Sequence, residues 1–211
     1  KMGRSVSEQE ENLDQAELAD ALERELLEGR RTRLDATFKK AGAPVPIVRF
    51  RPTADQVEEQ TLATLHGYWE RLMEEARLGG ADLPGVQLFD PLEISRTLTY
   101  VMMIDVLEEG LDFQYRVYGR EIAERFGRDL TGMKVSEVPI EPRITAFFQA
   151  VYRASIARRE AVFTEHAPPP SVSVTKWRRL ILPFTDAHGM VVRFVVGNIP
   201  GTWRRPDQGG A

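Results

Sequence analysis

LTYVMMIDVL, residues 98–107, and LDFQYRVY, residues 111–118, decide how this chain folds. Both are rich in β-branched and aromatic residues, and Glu108-Glu109-Gly110 between them suits a reversal of direction. The pair is therefore expected as two adjacent strands. The second alternates: Leu111, Phe113, Tyr115 and Val117 fall on one face, Asp112, Gln114, Arg116 and Tyr118 on the other. The first face is written for a core, the second for solvent or a partner.

Working outward toward the C-terminus, residues 119–127 fit a short helix with Ile122 and Phe126 inward, followed by a turn at Asp129-Leu130-Thr131-Gly132. Pro142 opens a longer helix in which Ile144, Phe147, Phe148, Val151, Tyr152 and Ile156 recur at helical spacing. Three strands are expected over residues 161–166, 172–183 and 190–198, and residues 185–189 suit a hairpin turn. Residues 200–211 read as a flexible tail. The fold class is α+β.

Toward the N-terminus, residues 7–40 read as one helix, with Ser7 and Glu10 at capping-box spacing, acidic residues at its start and basic residues at its end. Leu18, Leu22 and Leu26 lead an apolar stripe, which needs burial on the main domain or on a second subunit. Gly29 marks a hinge or an early end. Pro44, Pro46 and Pro52 make an extended connector. A second helix is expected from Thr53, with Gln56 completing its cap, to the Gly79-Gly80 stop, and another start at Asp90-Pro91. The resulting division is residues 1–52, helix and connector; 53–96, a helical lead-in packed on the main domain; 97–199, that domain; and 200–211, the tail.

Composition bounds the chemistry. The chain has 211 residues, 42% hydrophobic and 28% charged, the profile of a globular protein. No apolar run is long enough to span a bilayer and no signal peptide opens the chain, so a cytoplasmic location without membrane partners is expected. A net charge of -4 argues against nucleic acid as a partner. There is no cysteine, which excludes disulfides, thiolate metal sites and cysteinyl-flavin photochemistry.

The order of elements is that of a PAS domain, a five-stranded antiparallel sheet with helices on one face, here preceded by two N-terminal helices. Three local words agree with it. Asp112-Phe113-Gln114-Tyr115-Arg116-Val117-Tyr118-Gly119, Gly127-Arg128-Asp129-Leu130-Thr131-Gly132 and Trp177-Arg178-Arg179-Leu180-Ile181-Leu182-Pro183-Phe184 resemble, in this order, segments of stand-alone PAS proteins of proteobacteria. Arg120 stands where that family often carries Thr. The resemblance implies a bacterial sensory or signalling module. On that expectation Phe113, Tyr115, Ile122, Phe126, Phe148, Leu180 and Phe194 line the space between sheet and helices, either around a small apolar ligand or as a solid core. Leu18, Leu22, Leu26, Gln114, Arg116 and Tyr118 are the expected interface residues, for a homodimer or a signalling partner.

Other chemistry finds little support. Gly127 to Lys134 is a near miss to a phosphate-binding loop, without a registered Lys or a Ser/Thr after it. His66 and Glu70 share a helix face but read as a surface contact, with no metal expected. The long helix has no histidine for haem, and His166 is a poor candidate for that role. No cofactor is required. Lys176-Trp177-Arg178-Arg179 interleaves cations with an aromatic, yet on a strand Trp177 and Arg179 share one face while Arg178 faces the other. With no catalytic set in view, an enzyme is the weakest reading. A module acting through protein contacts comes first, and a small-molecule receptor second.

Overall fold

The computed structural model describes residues 14–205. The two stretches expected as adjacent strands form β2 (Val101–Leu107) and β3 (Asp112–Tyr118), paired antiparallel. Residues 98–100 belong instead to a 3-10 helix, Ser95–Tyr100. The chain reverses through three successive positive φ angles, 48° at Glu108, 58° at Glu109 and 97° at Gly110.

The alternation expected for β3 holds at Phe113 and Tyr115 and then breaks. Ile104 pairs with Tyr115 but Met103 with Val117, so Arg116 is an extra residue in a β-bulge. Beyond the bulge the faces exchange. Tyr118, expected on the outer face as an interface residue, is buried, and Val117 is 40% exposed. Leu111, expected inward, is 64% exposed because it belongs to the turn and precedes the strand.

Gly119 follows β3 at a position where a Cβ would lie 2.5 Å from the Thr99 carbonyl oxygen and 2.8 Å from that of Val101. Backbone cannot yield there, so only glycine lets the strand end against that turn. The remaining elements are α4 (Arg120–Phe126), α5 (Pro142–Arg158), β4 (Val162–His166), β5 (Trp177–Thr185) and β6 (Val191–Pro200). In the β5–β6 turn, the Asp186 carboxylate accepts from the backbone N–H groups of His188 and Met190, both at 2.9 Å.

The sheet has six strands, in the order β1-β4-β5-β6-β2-β3. The additional strand, β1 (Ile47–Phe50), pairs antiparallel with β4 inside the stretch expected as a connector. It is only four residues long and lies between Pro46 and Pro52. An edge strand tolerates such flanking prolines because one of its sides needs no ladder partner.

Helices cover both faces, where one was expected. On one face α5 presents Tyr152 to Phe113 and Phe194, and Phe148 to His166 and Arg179. On the other lies α3 (Gln60–Leu78), whose Leu62 and Leu65 press on Gly197 so closely that a Cβ there would meet both at 2.6 Å. The Trp69 indole N–H donates to the Pro183 carbonyl at 3.3 Å. Helix α3 starts later than expected. The Thr53–Gln56 capping box closes a separate 3-10 turn, Ala54–Gln56, while the Gly79 end falls where expected. At Asp90 the side chain caps a turn, accepting from Leu92 N–H at 2.9 Å, without a following α-helix.

The N-terminal helix is two helices, α1 (Gln15–Leu27) and α2 (Thr32–Lys40), broken at Gly29, where φ is +70°. The capping box that opens α1 is Asp14 with Glu17. The one expected at Ser7 lies outside the described residues. No side chain of its own caps α2; the buried Glu25 carboxylate does so, accepting from Arg33 N–H at 2.8 Å and Leu34 N–H at 3.3 Å. Helix α1 packs on α5. Ala146, Ala150 and Ala154 recur every four residues on α5, all fully buried, and small residues at that spacing admit a close neighbour. Arg153 extends across the contact to Asp20 at 2.7 Å and to the Gly110 and Leu111 carbonyls. Leu22 and Leu26 are buried in this contact, and Leu18 packs at its margin. Of the two expected places for the stripe, the main domain or a second subunit, it is the main domain that buries it here.

Residues 201–205, expected to begin a loose tail, are bonded back. Thr175 N–H donates to the Thr202 carbonyl at 2.9 Å, and Arg204 N–H to that of Ser173 at 2.8 Å.

Leu22→Ala tests the intramolecular packing. It is expected to lower unfolding stability by about 2–5 kcal/mol, as a large-to-small change in a filled core does. Urea titration at several protein concentrations checks this, and the midpoint should not move with concentration, as it would for a stripe buried between subunits.

Candidate functional site

Sheet and α5 do not close completely on one another. Between the β3–β5 end of the sheet, α4, the 3-10 turn Val135–Glu137 and the start of α5 lies a cavity of about 30 Å³. That is enough for one or two water molecules. Phe126, Leu130, Val135, Val138, Ile140 and Ile144 make its apolar wall, and Pro168, Pro169 and Trp177 stand at one side.

Seven residues were expected to line such a space, and the structure divides them. Tyr115, Phe126 and Phe148 do line it. Phe113 and Phe194 instead close on Tyr152, with ring centroids 5.0 and 5.3 Å from it, and form a solid aromatic plug. Ile122 is fully buried away from the cavity. Leu180 points to the opposite face, because it pairs with Gly197, which abuts α3, while its neighbour Arg179 points inward. A packed core and a cavity thus occupy different halves of the sheet–helix space.

The polar members of the site are Arg179, His166 and Thr145, with Tyr115 and Tyr118. Alternation puts Arg179 on one face with Trp177, opposite Arg178 and the expected lining residue Leu180, so no role was expected of it. Arg178 faces outward and is held by Glu165 at 3.0 Å and by Glu59. Arg179 is only 7% exposed. Its Nε donates to Asn198 Oδ1 at 3.1 Å, across a register pair of β5 and β6, and its guanidinium carbon stands 3.9 Å from the Phe148 ring centroid. Among the described residues it has no carboxylate partner, and it is the only formal charge lining the cavity.

Burial sets the ionisation of its neighbours. It pushes the phenols of Tyr115 and Tyr152 up, with the Arg179 charge opposing it. Tyr118 is likewise pushed up, by burial first and then by the Tyr115 phenol. Burial, aided by repulsion from Arg179, drives the His166 imidazole well below its usual range. A neutral histidine and neutral phenols thus surround a single buried cation.

Three buried polar atoms lining this cavity lack hydrogen-bond partners: Thr145 Oγ1, His166 Nδ1 and Arg179 Nη1. Buried polar atoms are almost always paired, so such a cluster at one cavity marks a place where something polar fits. Local sequence holds little sign of the cluster, since its three residues come from α5, β4 and β5.

A family model described as a PAS domain matches residues 57–199. The chain belongs to the PAS domain family. No curated protein and no solved structure matches it. The match begins ahead of residue 97 and takes in α3, so the helix behind the sheet lies within the matched unit of this PAS domain.

The remaining expected positions are outside the cavity. On the far side of β3, the Arg116 Nε donates to Asp105 at 2.7 Å, and Arg193 shares that carboxylate at 2.7 Å. The Gln114 amide donates to the Gly132 carbonyl at 2.8 Å, fastening the turn to the sheet. His66 is bonded to the Pro52 carbonyl at 2.9 Å and lies 3.9 Å from Glu70. His188 is exposed in its turn.

A pH dependence follows from His166. Its imidazole titrates near 6.5 in the unfolded chain and lower in the folded one. Between those values the unfolded state holds a proton that the folded state refuses, so stability falls as pH drops below about 6.5. The slope for one such group approaches about 1.4 kcal/mol per pH unit. Urea unfolding between pH 7.5 and 5.0 should show His166→Gln with a shallower acid loss than the parent; equal slopes would mean that His166 is not buried neutral.

Proposed function

We propose that this PAS domain is a receptor for a small molecule held in the cavity beside Arg179, and that it signals by contact rather than by catalysis. The observation that carries the proposal is the set of three unpartnered polar atoms on an otherwise apolar cavity wall. A purely structural core would fill such a space with apolar groups or pair those atoms internally. The aromatic plug beside it packs its half of the space with rings, although the buried Tyr152 hydroxyl there also lacks a partner.

The family membership supports the general role of a sensory or signalling module. For the output, we propose β3. Tyr115 touches the cavity, while its neighbours Gln114 and Arg116 hold the Gly132 turn and the Asp105 carboxylate outside. A shift of Tyr115 when the cavity fills would move both contacts, because they are adjacent on one strand at a bulge. The interface roles expected of Gln114 and Arg116 fit this output face, whereas Tyr118 belongs to the receptor side. Homodimerisation through α1 loses its support, since Leu22 and Leu26 are buried within the chain. The large apolar side chains that remain exposed, among them Leu78, Leu92, Met190 and Trp203, lie on separate elements.

Native mass spectrometry of freshly purified protein, with a thermal-shift screen of a chemically diverse library, tests the receptor reading. A ligand present at a hundred times its Kd should stabilise the fold by about 2.7 kcal/mol. For a chain of this size that is a rise in Tm of roughly 5–10 °C. No retained mass and no stabilising compound would sink the reading.

A further inference from the structure

We infer that the molecule this cavity takes is a monocarboxylate with a short apolar or aromatic body, its carboxylate paired with Arg179. The inference rests on the receptor reading above and narrows it to one ligand class.

Charge is the first argument. A guanidinium is always protonated in a protein, and removing it from water is costly unless a counter-charge is near. Arg179 has a neutral amide, an aromatic face and neutral phenols about it, but no carboxylate of this chain. One uncompensated cation asks for one negative charge. A dianion such as phosphate or sulfate would bring a second charge for which the wall offers no cation.

Donor geometry is the second. Asn198 occupies Nε of the guanidinium, which leaves Nη1 unpartnered at the cavity. Thr145 on α5 supplies a hydroxyl there, and a neutral His166 has one ring N–H to give. These donors come from three different elements, and a carboxylate with two oxygens can accept from several at once. Water would satisfy the hydrogen bonds but not the charge.

The third is the wall. Apart from its polar members it consists largely of Leu130, Val135, Val138, Ile140 and Ile144, with the Phe126 ring. A ligand with a carboxylate alone would leave that surface unused, while an apolar body gains by burying against it. The space is small, so the body must displace something. Pro168 and Pro169 stand on a segment without regular structure, tied down by the Arg204 guanidinium at the carbonyls of both prolines, 3.2 and 2.6 Å. That segment is the side of the cavity able to move without breaking a strand or helix.

The test compares acids with their amides on the full chain. Benzoate, phenylacetate and hexanoate are titrated beside benzamide, phenylacetamide and hexanamide, with inorganic phosphate and sulfate as further probes. Dissociation constants are read by NMR shift perturbation, which also locates the site. At least one acid should bind tenfold or more tighter than its amide, perturb the cavity residues and outcompete both inorganic anions. In Arg179→Gln that preference should vanish. Equal binding of acid and amide would overturn the carboxylate assignment while leaving the receptor reading standing. Binding of phosphate or sulfate as tight as that of every acid would overturn the apolar body. If none of these compounds binds but a neutral or cationic library compound enters the cavity, the inference falls alone; if nothing binds at all, both fall. Where Arg179→Gln fails to fold, the acid-to-amide ratio of the parent protein decides by itself.

Discussion

Helix α5 can be stable only with a layer on each side. From Ile144 to Ser155 it is buried almost all round, and its apolar and small side chains leave no solvated face. Such a helix belongs to the middle of a protein. The sheet covers one side through Phe113, Phe194 and Tyr152. The other side requires α1 and α2, which bring Leu22, Leu26, Leu34 and Phe38, with the Phe38 ring edge-on to Phe147 at 5.7 Å. The N-terminal helices are therefore part of the core. Arg153 and Glu25 secure this layer, one by crossing from α5 to Asp20 and the hairpin, the other by capping α2 from α1.

The same helix borders the site. Phe148 stands against Arg179, and Thr145 lies one turn before it, so the outer helical layer supports one wall of the cavity indirectly. Arg179 works against this arrangement. A buried cation without a counter-ion costs stability, and an apolar side chain of similar size would often serve a core better. Its retention beside two other unpartnered polar atoms is understandable if the occupied state supplies what the empty state lacks. Binding energy is then larger for an anion than for its neutral analogue, because pairing relieves a cost already present in the free protein.

Much of the fold was legible in the sequence, and the failures have definite physical causes. Period-two and period-3.6 patterning is local, so β2, β3, α5 and the C-terminal strands could be read from spacing. The bulge could not. One extra residue at Arg116 reverses the faces beyond it, and nothing in DFQYRVY announces it; Tyr118 was misplaced for that reason alone. Strand β1 escaped because four residues between prolines carry too little pattern. Covering of the second face by α3 depends on Gly197 lying beneath Leu62 and Leu65, a long-range match invisible in either segment. The aromatic lining was half legible, since period-two reasoning selects a face but not which part of it is filled. Arg179 was set apart from Arg178 by alternation, but taking Leu180 as the inward residue left Arg179 on the wrong side of β5. Its importance comes from what surrounds it, and those partners lie on β4, β6 and α5.

The bulge that defeated the alternation also ties the two faces of β3 together. Without it, Tyr115 and Val117 would share the inner face and Tyr118 would be outside. With it, Tyr115 and Tyr118 both turn inward, their rings 5.2 Å apart and perpendicular. Arg116, the inserted residue, is left outside to pair with Asp105. Bulges bend a strand locally and leave it with fewer ladder bonds to hold its position. Beside the cavity, the strand is held by side-chain and turn contacts: Tyr115 N–H to the Met133 carbonyl at 3.0 Å, Gly132 N–H to that of Tyr115 at 2.6 Å, and Gln114 to Gly132. All three join β3 to the segment that carries Leu130 and Val135, part of the apolar cavity wall. Under the proposed receptor role, a ligand pushing on that wall would act on the strand at the bulge. On the outer face that point presents Arg116, which shares the Asp105 carboxylate with Arg193, each guanidinium on its own oxygen, so a displacement of the strand there would be felt by β2 and β6 as well.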